Sequence, residues 1–75
     1  MPPGRQGRGV QAAAAIKAFQ KLGFSVDRIH GSHYILKHAD GRRVTVPRHG
    51  EVKTGLLLNQ LKRVAVAWED FREAL

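Results

Sequence analysis

The chain contains no cysteine, which excludes a disulfide framework, a thiolate zinc site, an iron–sulfur cluster and a cysteine nucleophile. It also lacks any apolar run near the roughly 20 residues that a membrane span requires. The N-terminus has no continuous apolar core of the signal-peptide kind. A soluble, cytoplasmic chain with no membrane attachment is therefore expected. At 75 residues it has room for one small domain, and such a domain buries only about 60–65% of its unfolded surface. A thin core of this kind weighs against a large enclosed cofactor pocket, and no cofactor is expected.

Acidic residues are also scarce. Six Asp and Glu stand against 13 Lys and Arg, for a net charge of +7. The excess is uneven: residues 1–63 carry twelve basic and three acidic side chains, and residues 64–75 carry one basic and three acidic. A basic body suits a polyanion, because each cation placed near a phosphate releases counterions. The simpler alternative is a solubilising surface charge.

Residues 1–9, with two Pro, three Gly and two Arg, read as a flexible basic tail, and residues 10–75 as the folded domain. From Val10 to Leu22 the spacing predicts a helix. Ala12, Ala15, Ile16, Phe19 and Leu22 fall on one face, and Gly23 stands where a left-handed C-cap belongs. Three strands are predicted at Phe24–His30, His33–His38 and Arg42–Pro47. Gly31-Ser32 joins the first pair and Ala39-Asp40-Gly41 the second. Pro47 closes the third strand, and His49–Thr54 is expected as a loop. Gly55–Val64, with Thr54 placed to cap it, and Trp68–Leu75 complete the chain as two further helices. The fold class is α+β. One face of an antiparallel sheet should pack under helices while the other stays open for a ligand. Alternation alone leaves open whether Tyr34 and Leu36 or Ile35 face the helices.

Four histidines require a test for metal binding. His33 and His38 are separated by an odd number of residues, so a regular strand points them to opposite faces. His30 and His49 could approach across loops, but no helical His-Glu-x-x-His spacing exists. No metal site is expected. His33 follows Gly31-Ser32 at the mouth of a hairpin, where backbone can approach a phosphate closely. Imidazole as a class exchanges protons near neutral pH, and on a basic surface the obvious hydroxyl to deprotonate is an RNA 2′-OH. A lone strand histidine is, however, more often an ordinary half-exposed residue. His38, leading into a turn, suits fixing the hairpin by hydrogen bonding.

The whole pattern is more specific than its parts. Leu22-Gly23-Phe24, Arg28-Ile29-His30-Gly31-Ser32-His33, Lys37-His38-Ala39-Asp40-Gly41-Arg42, Val44-Thr45-Val46-Pro47-Arg48-His49 and Lys53-Thr54-Gly55 follow in that order. In this series the chain resembles the HicA toxins, small mRNA-cleaving partners in HicA–HicB toxin–antitoxin systems. The resemblance runs from about Ile16 to Leu61, with a weaker echo in Glu69-Asp70-Phe71. It implies a double-stranded-RNA-binding-domain-like α-β-β-β-α fold with a short C-terminal helix added. It also implies a ribonuclease that works without a metal and depends on His33, and a HicB-like antitoxin as partner.

In that reading His33 is the general base. Backbone amides near Gly31 and Ser32, with Arg28 or Lys37, stabilise charge on the phosphorane. His49 is the first candidate for the general acid and Lys53 the next, although a solvated loop histidine explains His49 equally well. Arg42, Arg43 and Arg48 are expected as phosphate contacts at the level of a patch. Tyr34 suits base stacking or, more simply, core packing.

The chain departs from the family pattern in its second helix. Leu56 and Leu58 occupy positions where the family commonly has a hydroxyl or a basic residue. Leu56-Leu57-Leu58 cannot all be buried on one helix face, so Leu56 or Leu58 is expected in a protein–protein contact, a homo-oligomer included. Val64-Ala65 replaces the usual Gly after that helix, and Ala67 removes the expected cap of the last one. The rival functions are a non-catalytic RNA-binding module of the same fold, which would not need His33, and an interaction subunit that has lost its RNA activity.

Overall fold

A computed structural model describes residues 9–75. Its elements are β1 (Gly9–Gln11), α1 (Ala12–Lys21), β2 (Phe24–His30), β3 (His33–His38), β4 (Arg43–Pro47), β5 (Glu51–Lys53), α2 (Thr54–Arg63) and α3 (Trp68–Ala74). The expected α+β order of a helix, a three-stranded antiparallel sheet and further helices is present, with sheet order β2-β3-β4.

The alanine run gives α1 a flat face on which Ala12, Ala15, Ala18 and Phe19 are buried. Small side chains let this helix lie close to the sheet, and Phe19 fills the gap beyond them. Its ring meets Phe24 of β2 edge-on at 5.4 Å and Phe71 of α3 at 5.0 Å, favourable separations for aromatic pairs. Leu36, Val44 and Val46 complete the sheet's contribution, and Leu57, Leu61 and Val64 that of α2. The register decides the question that alternation left open. Leu36 lies opposite Val44 and Tyr34 opposite Val46, so Tyr34 and Leu36 face the helices while Ile35, opposite Thr45, faces away.

Several boundaries differ from expectation. The stretch predicted as a loop contains β5, which pairs antiparallel with β1, Gly9 opposite Lys53 and Val10 opposite Val52. Gly9 thus belongs to a strand and not to the tail, whose residues 1–8 lie outside the described part of the chain. A Cβ at Gly9 would stand 1.8 Å from the Val52 carbonyl oxygen, so the glycine permits the pairing. Val10 and Gln11 are extended, and the helix begins at Ala12, whose N–H donates to the Gly50 carbonyl at 2.8 Å. The N-cap of α2 falls on Lys53, one residue before the expected Thr54, and β4 starts at Arg43, not Arg42.

The missing glycine after α2 changes nothing in the backbone path. Val66 N–H donates to Leu61 at 2.9 Å and Ala65 N–H to Lys62 at 3.2 Å, the paired bonds of a Schellman ending. Ala65 takes the left-handed conformation itself, at φ 57°.

Candidate functional site

Two turns set the site. Gly31-Ser32 is a two-residue hairpin loop in which Gly31 alone has positive φ, 62°, the pattern of a type II′ turn. It places His30 and His33 directly opposite each other. The other turn has three residues, with only Gly41 at positive φ, 100°. His38 N–H donates to Arg42 and Gly41 N–H to His38, both at 2.8 Å.

A bulge at Asp27 decides what faces outward. Val26 is opposite Leu36, but Arg28 is opposite Ile35, so one residue of β2 is left unpaired. Regular alternation would group Arg28 and His30 with Val26 on the helix side. The extra residue turns both to the open face instead. That face therefore carries Ser25, Arg28 and His30 from β2, His33, Ile35 and Lys37 from β3, and Arg43 and Thr45 from β4. His33 is exposed at its edge. Arg28 lies one row inward, about 7 Å along the strand direction, and Lys37 with Arg43 about 13 Å inward.

Lys37 and Arg43 are directly opposite each other. Like charges so placed repel, and neither has a carboxylate within 4.0 Å among the described residues; the arginine–carboxylate pairs there are Arg28–Asp27 and Arg42–Asp40. Arg28 holds Asp27 at 3.7 Å with its own side chain largely exposed, a weak surface pair. The open face is thus a strip of incompletely neutralised cations ending at His33.

The remaining expected site residues divide into two groups. Arg48 belongs to the turn: its N–H donates to the Ser32 carbonyl at 2.8 Å, and its guanidinium stands 5.8 Å from the Tyr34 ring centroid, on the helix side. His49 follows it, exposed, on a loop that leaves the sheet beside Gly31-Ser32. Lys53 lies further along, exposed at the end of β5 and opposite Gly9. Arg42 is on the other side of the sheet. Its Nε donates to Asp40 Oδ2 at 2.8 Å, its Nη1 donates to the Val64 carbonyl, and its guanidinium carbon sits 5.6 Å from the Phe24 ring centroid. These bonds fasten the hairpin tip to the end of α2. The hydrogen bonds from Arg42 hold the Asp40 carboxyl below its ordinary value of 3.8.

His38 is likewise internal. Its Nδ1 accepts from Asp40 N–H at 3.2 Å, and its ring meets Phe24 edge-on at 5.1 Å. It therefore sits on the face opposite His33. No group of three or more His, Cys, Asp or Glu with metal-binding spacing occurs among the described residues. Two open surface grooves, of about 410 and 350 Å³, lie at Gly23–Asp27 and His38, and between α1 and β2; neither includes His33. A histidine exposed at the end of an open sheet face is suited to a polymer that lies across the surface and not to an enclosed small molecule. No helix among the described residues is long and apolar enough to cross a membrane.

None of the curated proteins compared with the chain matches it. The family described as "HicA toxin of bacterial toxin-antitoxin" does, over residues 12–66, a span that holds α1, the whole sheet, both turns, α2 and its Schellman ending. The chain belongs to the HicA toxin family, the toxin side of bacterial toxin–antitoxin systems.

Proposed function

We propose that this toxin is an endoribonuclease that cleaves mRNA without a metal, with His33 as general base. The observation that carries the reading is the strip of cations on the open face, running from the unpaired Lys37–Arg43 couple through Arg28 to the exposed His33. A sheet that places two like charges opposite each other forgoes stability, and a polyphosphate backbone compensates that repulsion.

In the proposed reaction the neutral His33 imidazole removes the proton of a 2′-OH. The freed oxygen attacks the adjacent phosphorus, and the bond to the 5′-oxygen of the next nucleotide breaks. A 2′,3′-cyclic phosphate and a 5′-hydroxyl remain, and the leaving oxygen takes a proton from a general acid. His49 is our first candidate for that acid, because its loop leaves the sheet at the Ser32–Arg48 bond; Lys53 is the second. Backbone amides of the Gly31-Ser32 turn and Arg28 stabilise the charge on the phosphorane. Lys37 and Arg43 hold flanking phosphates; Arg48, whose guanidinium lies over Tyr34 on the helix side, is not on that face. Arg42 is left out of this set, since its donors are used within the fold.

The HicB-like antitoxin implied by the family is proposed to cover the His33 face with acidic or apolar groups, and the site of action is proposed to be the cytoplasm. Leu56 and Leu58 are 54% and 44% exposed, flanking the buried Leu57 and Leu61 on opposite sides, about 160° apart. One partner helix cannot cover both, so either one is proposed as a separate protein contact.

The deciding experiment incubates the protein with a long, end-labelled single-stranded RNA in EDTA beside the His33→Ala variant. Wild type should cut and leave cyclic-phosphate ends, and the variant should be slower by about 10²- to 10⁴-fold, the usual worth of a general base. RNA binding by both should weaken steeply with salt. Binding without cleavage by either protein would favour the non-catalytic RNA-binding module. Equal cleavage by both would remove His33 from the mechanism.

A further inference from the structure

Of the two outer edges of the sheet, β4 is blunted and β2 is not. The bonds His38 N–H to Arg42 and Arg48 N–H to Ser32 show that the even-numbered residues of β3 and β4 bond to each other, so Arg43, Thr45 and Pro47 turn their backbone groups outward. Gln60 Nε2 donates to the outward Thr45 carbonyl at 2.8 Å, and Pro47 has no N–H to offer. On β2 the same alternation points the backbone groups of Val26 and Ile29 away from the sheet. No described strand pairs with that edge. Val26 and Ile29 are 40% and 52% exposed, both on the helix side because of the bulge between them.

The strand around this point reads Val26-Asp27-Arg28-Ile29, apolar, acidic, basic, apolar. We infer that β2 is a self-complementary edge at which a second copy of this chain pairs antiparallel about a two-fold axis between Asp27 and Arg28. In that register Val26 of one copy meets Ile29 of the other on the helix side. Asp27 meets Arg28 of the other copy on the open face, twice by symmetry. The outward backbone groups of Val26 and Ile29 are the ones such a pair of strands needs. A bulge ordinarily spoils pairing with a foreign straight strand, but another copy carries the same bulge at the same place, so the two offsets match. The product is a six-stranded sheet whose two open faces form one continuous basic surface, with the two His33 side chains at opposite ends of its second and fifth strands.

The test is sedimentation velocity over a rising protein concentration, with circular dichroism on every variant to confirm the fold. Wild type should pass from monomer towards dimer. Asp27→Arg reverses two symmetry-related contacts and should weaken the dimer about tenfold. Adding Arg28→Asp to it restores opposite charges and should recover association. Ile29→Pro removes an N–H that points outward, so it should leave a folded monomer. A wild type that stays monomeric at every concentration overturns the inference. So does a dimer indifferent to these β2 variants, including one lost on Leu56→Lys or Leu58→Lys, which would place the contact on α2. Because mass and not cleavage is read, failure here is separate from failure of the ribonuclease reading.

Discussion

Ala65 offers the sharpest quantitative test of the backbone argument. It has φ 57° at the C′ position of α2, where a left-handed residue is required and a Cβ costs about 1–2 kcal/mol. Its side chain is exposed, so Ala65→Gly sacrifices little packing. Glycine adds freedom to the unfolded chain, which subtracts about 0.4–1 kcal/mol. The difference leaves a net stabilisation of about 0.5–1 kcal/mol, a rise in melting temperature of about 2–8 °C for a domain of this size. Thermal unfolding followed by far-ultraviolet circular dichroism reads this directly. RNA cleavage should be unchanged, since Ala65 lies at the end of α2, outside the open face. A melting temperature equal to or below that of the wild type would refute the claim that the Schellman bonds force strain on Ala65.

Gly23→Ala should do the opposite. Gly23 has φ 101°, and a Cβ there would stand 2.7 Å from His38 Nε2, so backbone strain adds to displacement of a ring packed on Phe24. A loss of at least about 1 kcal/mol is expected, read as a lower denaturation midpoint in urea; an unchanged midpoint would show that His38 moves aside freely. Asp40 gives a pH dependence. Its folded carboxyl is held below the ordinary value of 3.8, so its ion pair stabilises the hairpin tip above that value and ceases to do so as pH falls through the lower one. Asp40→Asn should therefore melt below wild type at pH 7 and approach it below about pH 4. A gap that stays constant from pH 7 to pH 3 would contradict that assignment.

The elements that could be read from the sequence were those whose local chemistry and burial agree. The alanine run with Phe19, the alternating β-formers and the glycines at both hairpin turns each point to one structure, and each is found. β1 and β5 escaped because each is three residues long with a single valine, Val10 or Val52, too short for any period to register. Gly9 looked like part of a flexible tail by composition, yet its lack of a side chain is what the close approach to Val52 demands. Arg42 was read by charge alone. Its Asp-Gly-Arg spacing was the available signal that the guanidinium would turn back on Asp40, but nothing local announced the Val64 carbonyl, 22 residues away.

The site itself depends on an irregularity that alternation cannot foresee. With strict two-residue periodicity, Phe24, Val26, Arg28 and His30 would share the helix side, and Arg28 would have to be buried or expelled over the core. The single unpaired residue at Asp27 breaks that sequence, keeping Phe24 and Val26 on the helix side while carrying Arg28 and His30 across to the side of His33. A bulge also leaves β2 with an odd offset, which is why Val26 and Ile29, three residues apart, present one apolar edge. The same local defect thus gathers the cations on the open face and sets the register at which another copy can pair. Deleting Asp27 should consequently straighten β2 without moving its cations. Val26 would be followed directly by Arg28, so regular alternation would keep Arg28 and His30 on the side of His33, still opposite Ile35 and His33. RNA binding by the deletion variant should therefore match that of Asp27→Ala, which keeps the bulge, and filter binding at low salt would compare the two. A deletion that binds RNA far more weakly than the alanine variant would show that Arg28 had left the open face and would refute this reading of the register.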